Sequence, residues 1–219
     1  DWFLADQAII LDTAGRYATH DDEESNQSEW LGLLTLLKKY RKRKPINGVL
    51  VAINVDSILS ETEEQNEQKA RRIRARLDEL IEQFDINFPV YLVFTKCDCL
   101  YGFTQFFGDL NAVEERVQVW GCTFTRQPEH PEEGFEAECQ KLYPSLNERK
   151  LVRLASGEID FKKSREIYLF PLEFRAAFQT LKGFVGMLFR STAYREERPM
   201  LRGFYFTSGT QGGEPIELV

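Results

Sequence analysis

Two short stretches carry residue types suited to chemistry. The first is Ala8-Ile9-Ile10-Leu11-Asp12-Thr13-Ala14-Gly15. Its apolar run, Ile9 to Leu11, predicts a buried strand. The run ends on an aspartate, and a glycine follows three residues later. The carboxyl end of a strand is where open α/β sheets place their ligands. A carboxylate there, Asp12, can hold a Mg²⁺, usually through water, because this ion gives up its hydration reluctantly. Gly15 can bring its backbone N–H up to a phosphate oxygen with no Cβ in the way. By itself the tetrapeptide is more simply a strand closed by an Asx turn. The second stretch is Pro89-Val90-Tyr91-Leu92-Val93-Phe94, another buried-strand pattern, which runs directly into Thr95-Lys96-Cys97-Asp98.

Taken in order, DTAG and TKCD resemble the metal/phosphate motif and the guanine-reading motif of Ras-like GTPases. The resemblance implies a role for Asp98 that follows from hydrogen-bond chemistry. A carboxylate accepts two hydrogen bonds from the ring N–H and the exocyclic amino group of guanine. Adenine presents a ring lone pair at the first of these points and would leave the aspartate unpaired, so such sites discriminate by ~10⁴ or more. Lys96 would lay its methylene stem along the base. The cofactors implied are GTP (or ATP) and Mg²⁺, with Asp12 as metal residue and Gly15, Lys96 and Asp98 as nucleotide contacts.

The elements that must position these residues follow from the rest of the 219-residue chain. Trp2 to Leu4 and Ala8 to Asp12 form two strands around a polar turn. Gly15 to Gln27 is polar, with Asp21, Asp22, Glu23 and Glu24 in a row, and is expected as a loop. Ser28 is expected to cap a helix bearing Trp30, Leu33, Leu34, Leu37 and Tyr40. That helix closes in the cations Lys38, Lys39, Arg41, Lys42, Arg43 and Lys44 before Pro45. Gly48 to Asn54 is a third buried strand. A capping box at Ser60-Glu61-Thr62-Glu63 opens a long helix with Ile73, Leu77, Leu80, Ile81 and Phe84 on one face. Tyr101, Phe103, Phe106 and Phe107 are expected as a buried knot, and Gln127 to Glu133 as a loop. Phe135 to Ala155 reads as a helix broken at Pro144. Ile167 to Phe170 reads as a short strand before a very apolar helix opened by Pro171. Leu201 to Gly209 is a last strand and glycine-rich tail. The fold class expected is α/β: a Ras-like, P-loop-NTPase-like sheet, mostly parallel, with helices on both faces and no P-loop segment. Residues 1–190 would form that GTPase-like domain, and 191–219 a strand and tail leading onward.

Composition narrows the function classes. The formal charge of −7 argues against nucleic acid as the main partner. Cys97, Cys99, Cys122 and Cys139 show no CxxC or zinc-like spacing, which favours a reducing compartment. His20 and His130 are lone histidines in polar stretches and are not expected as ligands. The chain has no membrane span or signal peptide, and it opens on Asp1-Trp2-Phe3 with no initiating methionine, so a fragment is expected.

The flanks make the resemblance narrower. Asp12-Thr13-Ala14-Gly15-Arg16-Tyr17, the start Asp1-Trp2-Phe3 and the tail Leu201-Arg202-Gly203-Phe204-Tyr205-Phe206-Thr207-Ser208-Gly209-Thr210-Gln211 together resemble the IcmF/TssM family, over essentially the whole chain. These are inner-membrane components of bacterial type VI secretion systems, with relatives in type IVb systems. The resemblance implies a GTPase-like region at the cytoplasmic face of the inner membrane. It also implies assembly with TssL, TssJ and baseplate proteins, and a homo-oligomer in the full complex. Two departures bear on activity. No GxxxxGK[ST] is present, so a P-loop is either upstream of Asp1 or absent from the parent protein. Arg16 follows Gly15 where Ras-like enzymes use a glutamine to orient water; a guanidinium has no acceptor to take that water's proton. Without about four P-loop amides and a lysine, nucleotide binding loses roughly 7 kcal/mol, a factor of ~10⁵. No hydrolase activity is expected of this chain alone. The parent would be an NTPase if it carries a P-loop, and a scaffold otherwise.

Overall fold

The computed structural model describes residues 2–13, 23–110, 119–155, 160–190 and 199–209. Two sheets are present among them. A four-stranded sheet has the order β3-β4-β6-β5, built from β3 (Val49–Asn54), β4 (Pro89–Thr95), β6 (Met200–Phe206) and β5 (Trp120–Thr123). β3, β4 and β6 run parallel, while β5 pairs antiparallel to β6. A two-stranded antiparallel hairpin, β1 (Trp2–Leu4) and β2 (Ile9–Leu11), forms the other sheet. The fold is therefore α/β with a mixed, mainly parallel sheet.

The central strand β4 has the alternation expected of its position, with Val90, Leu92 and Phe94 fully buried. Val51 and Ile53 of β3 continue that buried face. The opposite face carries much less cover: Leu50 is 58% exposed, and Tyr91 and Val93 are half-buried.

Among the described residues six helices accompany the strands: α1 (Glu23–Tyr40), α2 (Val55–Ser60), α3 (Glu63–Phe84), α4 (Phe103–Phe106), α5 (Pro131–Ala155) and α6 (Phe161–Phe189). α3 begins in a capping box, but at Thr62: its hydroxyl accepts from the Gln65 N–H, and the Gln65 side chain accepts from the Thr62 N–H. Ser60, expected as the cap, instead ends α2, a short helix the sequence did not reveal. α1 starts at Glu23, five residues before Ser28; acidic residues suit a first turn. The expected aromatic knot forms around Phe103, Phe106 and Phe107, while Tyr101 lies against Arg165 instead. Phe106 lies 4.6 Å from Phe170, Trp120 lies 5.0 Å from Phe174, and Phe103 and Phe107 pack beside them.

α6 departs most from expectation. Ile167 to Phe170 is helix, not strand, and Pro171 sits inside one helix of 29 residues. Asp160 caps it by accepting from the Lys163 N–H. Ile167, Phe170, Phe174, Phe178, Leu181 and Leu188 recur at helical spacing and are all buried. Burial of that row outweighs the one backbone hydrogen bond a proline forfeits. Pro144 is likewise contained within an unbroken α5. Arg74 of α3 anchors the far end of α6, donating to the Leu188 and Arg190 carbonyls at 3.3 and 3.0 Å. Those carbonyls lack partners within the helix, so the guanidinium closes it.

Candidate functional site

β4 delivers TKCD to the carboxyl rim of the parallel strands. Thr95 Oγ1 donates across to the Ile53 carbonyl at 3.2 Å. Lys96 then takes the left-handed conformation, with φ 59°, and turns the chain into a single 3₁₀ turn, Cys97–Cys99. Lys96 is exposed and Asp98 half-buried, side by side on the rim. Cys97 points inward, where its thiol donates to the Phe94 carbonyl at 3.3 Å. Burial pushes that thiol up to about 12. Cys99 is pushed to about 12 as well, first by burial and then by the Asp56 and Asp98 carboxylates. Neither is a nucleophile at neutral pH.

A second loop, to which the sequence analysis gives no site role, completes this rim. β6 lies beside β4, so Thr207-Ser208-Gly209 emerges next to TKCD. The Thr207 N–H donates to the Phe94 carbonyl at 2.8 Å, and the Cys97 N–H donates to the Thr207 carbonyl at 3.2 Å. Ser208 Oγ donates to Asp98 Oδ1. One carboxylate oxygen is thus fixed by a hydroxyl, and the other retains its lone pairs for a ligand bearing adjacent N–H donors. The available signal for Ser208 was a small hydroxyl residue two positions beyond a buried strand; the adjacency of β6 to β4 was what the sequence withheld.

Asp12 is placed differently. It follows β2, and the hairpin forms no strand pair with the four-stranded sheet. The expectation that β2 is a buried strand sharing one sheet with β4 is therefore corrected. Ile9 and Ile10 are exposed by 64% and 43%, Leu11 is half-buried, and Trp2, Phe3 and Leu4 opposite are exposed by 64%, 54% and 80%. The physical reason lies in length and locality. A three-residue strand offers few ladder bonds, and a short turn closes it on its immediate neighbour at low entropic cost. Gly15 and Arg16 lie outside the described residues. Among the described residues no cluster of three or more His, Cys, Asp or Glu side chains is disposed to hold a metal ion. Asp12 alone does not make a Mg²⁺ site, which draws several oxygens from water or phosphate.

A cleft of about 470 Å³ lies elsewhere, lined by Glu63, His130, Glu132, Gly186 and Arg190 among others. Neither motif contributes to it. His20 falls outside the described residues. No helix of the described residues is long and apolar enough to cross a membrane.

Comparison with known proteins gives a consistent result. Residues 23–219 match the family of the IcmF-related N-terminal domain. The chain is 43% identical over 222 residues to a Pseudomonas aeruginosa (strain PAO1) protein described as type VI secretion system component TssM1, an alignment covering 99% of this chain and 20% of that protein. The chain thus spans about a fifth of the length of this curated relative. No solved structure matches it significantly. A family match across nine-tenths of the chain, with this level of identity over almost all of it, places the chain in the IcmF/TssM family, in its IcmF-related N-terminal domain.

Proposed function

We propose that this chain is a scaffold and interaction domain of GTPase-like fold, within a TssM/IcmF-like component of a type VI secretion apparatus. In that role it sits at the cytoplasmic face of the inner membrane and contributes to assembly with TssL, TssJ and baseplate proteins. The observation that carries the secretion assignment is the 43% identity to a TssM1 protein across nearly the whole chain. The Ras-like reading draws its support from the rim, where three parallel strands present Asp98 and Lys96 beside a second loop. The scaffold reading is favoured over a nucleotide switch because Asp12 and Asp98 stand on separate sheets. Base reading has little use without a phosphate grip.

A calorimetric titration of the chain with GTP and ATP in the presence of Mg²⁺ tests the choice. The scaffold reading expects no binding at micromolar nucleotide. Tight, Mg²⁺-dependent GTP binding that Asp98→Ala abolishes would replace it with the second reading, a GTP- or ATP-driven switch. The Ser208–Asp98 contact is the observation that keeps this second reading in play.

A further inference from the structure

We propose that the basic run at the carboxyl end of α1, Lys38 to Lys44, is a docking surface for an anionic lipid bilayer. Six of its seven residues are cations, in a chain whose net charge is −7. All seven are exposed, and the buried Pro45 fixes the turn behind them. The run begins in the last helical turn and continues past it as Arg41-Lys42-Arg43-Lys44. Compensation of a helix dipole accounts for Lys38 and Lys39, since that effect fades within the last turn. It does not account for the cations beyond.

The surroundings of these charges separate them from several other cations of the molecule. Lys69, Arg71, Arg74, Arg76, Arg149 and Lys182 each pair with a carboxylate. Among the described residues, none of the six in the run does. Lys38 donates to the Gln83 carbonyl at 2.8 Å, Arg41 to the Asn47 side chain at 3.2 Å, and Lys39 lies 5.4 Å from the Tyr40 ring centre. All three partners are neutral. Lys38 places the run beside the carboxyl end of α3, where Glu82 and Asp85 set two carboxylates against the six cations. Like charges this dense repel one another, and two carboxylates leave most of that charge unbalanced.

The exposure of all seven residues, at the end of α1 and past it, points to an extended anionic surface. Tyr40 is 75% exposed and Leu36 53% exposed, one helical turn apart. A tyrosine beside clustered cations is the composition of a membrane interface, where the ring sits at headgroup depth. Each Lys or Arg near an anionic leaflet changes partitioning about fivefold at moderate salt.

Co-sedimentation of the chain with vesicles tests the proposal. One set contains roughly one-third phosphatidylglycerol and the other phosphatidylcholine alone. The expected result is binding to the anionic vesicles only, lost as salt shortens the Debye length to about 4 Å. Neutralising Lys42→Gln, Arg43→Gln and Lys44→Gln together should weaken it about a hundredfold. The same number of neutralisations elsewhere, Arg126→Gln, Lys162→Gln and Arg175→Gln, should weaken it only a few-fold. Equal binding to both vesicle types, no salt dependence, or an equal loss in both triple variants would overturn the proposal. So would preferential capture of duplex DNA or of an acidic peptide at the same ionic strength. The salt dependence is read on the unaltered chain and does not rely on any variant folding.

Discussion

The two motif-bearing strands of this protein, β2 and β4, have nearly the same apolar sequence character and opposite fates. β4 is paired on both sides, and its Phe94 ring lies 5.3 Å from Phe206 and 5.6 Å from Phe135. The loop after it is tied to the loop after β6 through Cys97, Thr207, Asp98 and Ser208. β2 has one partner over three residues, and its apolar side chains face solvent. A motif at a strand end is only as well placed as the neighbours of its strand. The contrast also bears on the proposed function: Lys96 and Asp98, the residues proposed to read a base, follow a strand paired on both sides, whereas Asp12 follows the separate hairpin.

Native-state hydrogen exchange gives the sharpest way to break this comparison. Amides of β4 and β6 should exchange only through global opening, and those of the β1–β2 hairpin through local fraying. The rates should differ on the order of 10⁴-fold or more. An isolated hairpin is marginal in water, so equal protection in both regions would mean that β2 is supported after all. Next in size is a pair of truncations read by chemical denaturation. Phe94→Ala should cost about 3–5 kcal/mol, and Ile10→Ala less than about 0.5 kcal/mol, as at an exposed site. Comparable losses would sink the distinction.

The smallest effect comes from acid. Glu61 accepts from Lys69 at 2.7 Å and from Ser57 at 2.6 Å. Burial raises its carboxyl, and the hydrogen bonds from Lys69 and Ser57 and the Lys69 charge more than offset this, leaving it below its ordinary range. A lowered folded-state value means stability present above the unfolded value, about 4.3, and lost as pH falls through the folded one. The side chain is 29% exposed, so the contribution is less than about 1 kcal/mol. Glu61→Gln should therefore lower stability at neutral pH and converge with the parent protein in acid. Because Glu61 joins α3 to α2, the helix that directly follows β3, acid should loosen the four-stranded sheet without changing exchange in the hairpin.

Much of this arrangement was legible from residue pattern, and the failures share a cause. The β3 and β4 runs were visible because burial on one face and β-branched or aromatic residues agree with each other. The place of Lys96 and Asp98 just past a strand end was legible for the same reason: a strand that is easily seen has an easily seen end. β5 was missed because Trp120-Gly121-Cys122-Thr123 is short and owes its strand character to pairing with β6. In α6, Pro171 looked like a boundary, yet the helical row of buried side chains runs through it. Ser208 needed knowledge of which strand lies beside β4. Exposure of the hairpin could not be read at all, because an apolar run records what its side chains prefer and says nothing about what is there to cover them.

The place of β6 has a consequence for how the chain reaches this state. The last strand among the described residues lies inside the sheet, between β4 and β5. A nascent polypeptide that has emerged only as far as α6 has β3 and β4 side by side, with the inner edge of β4 unsatisfied and β5 without the strand it pairs to. Bringing Phe94 and Phe206 together closes more than a hundred residues of intervening chain, the kind of distant contact that makes folding slow. Until residue 206 is free to insert, that open edge is a template for other strands, and the interval between translation of α6 and of β6 is when a chaperone has most to shield.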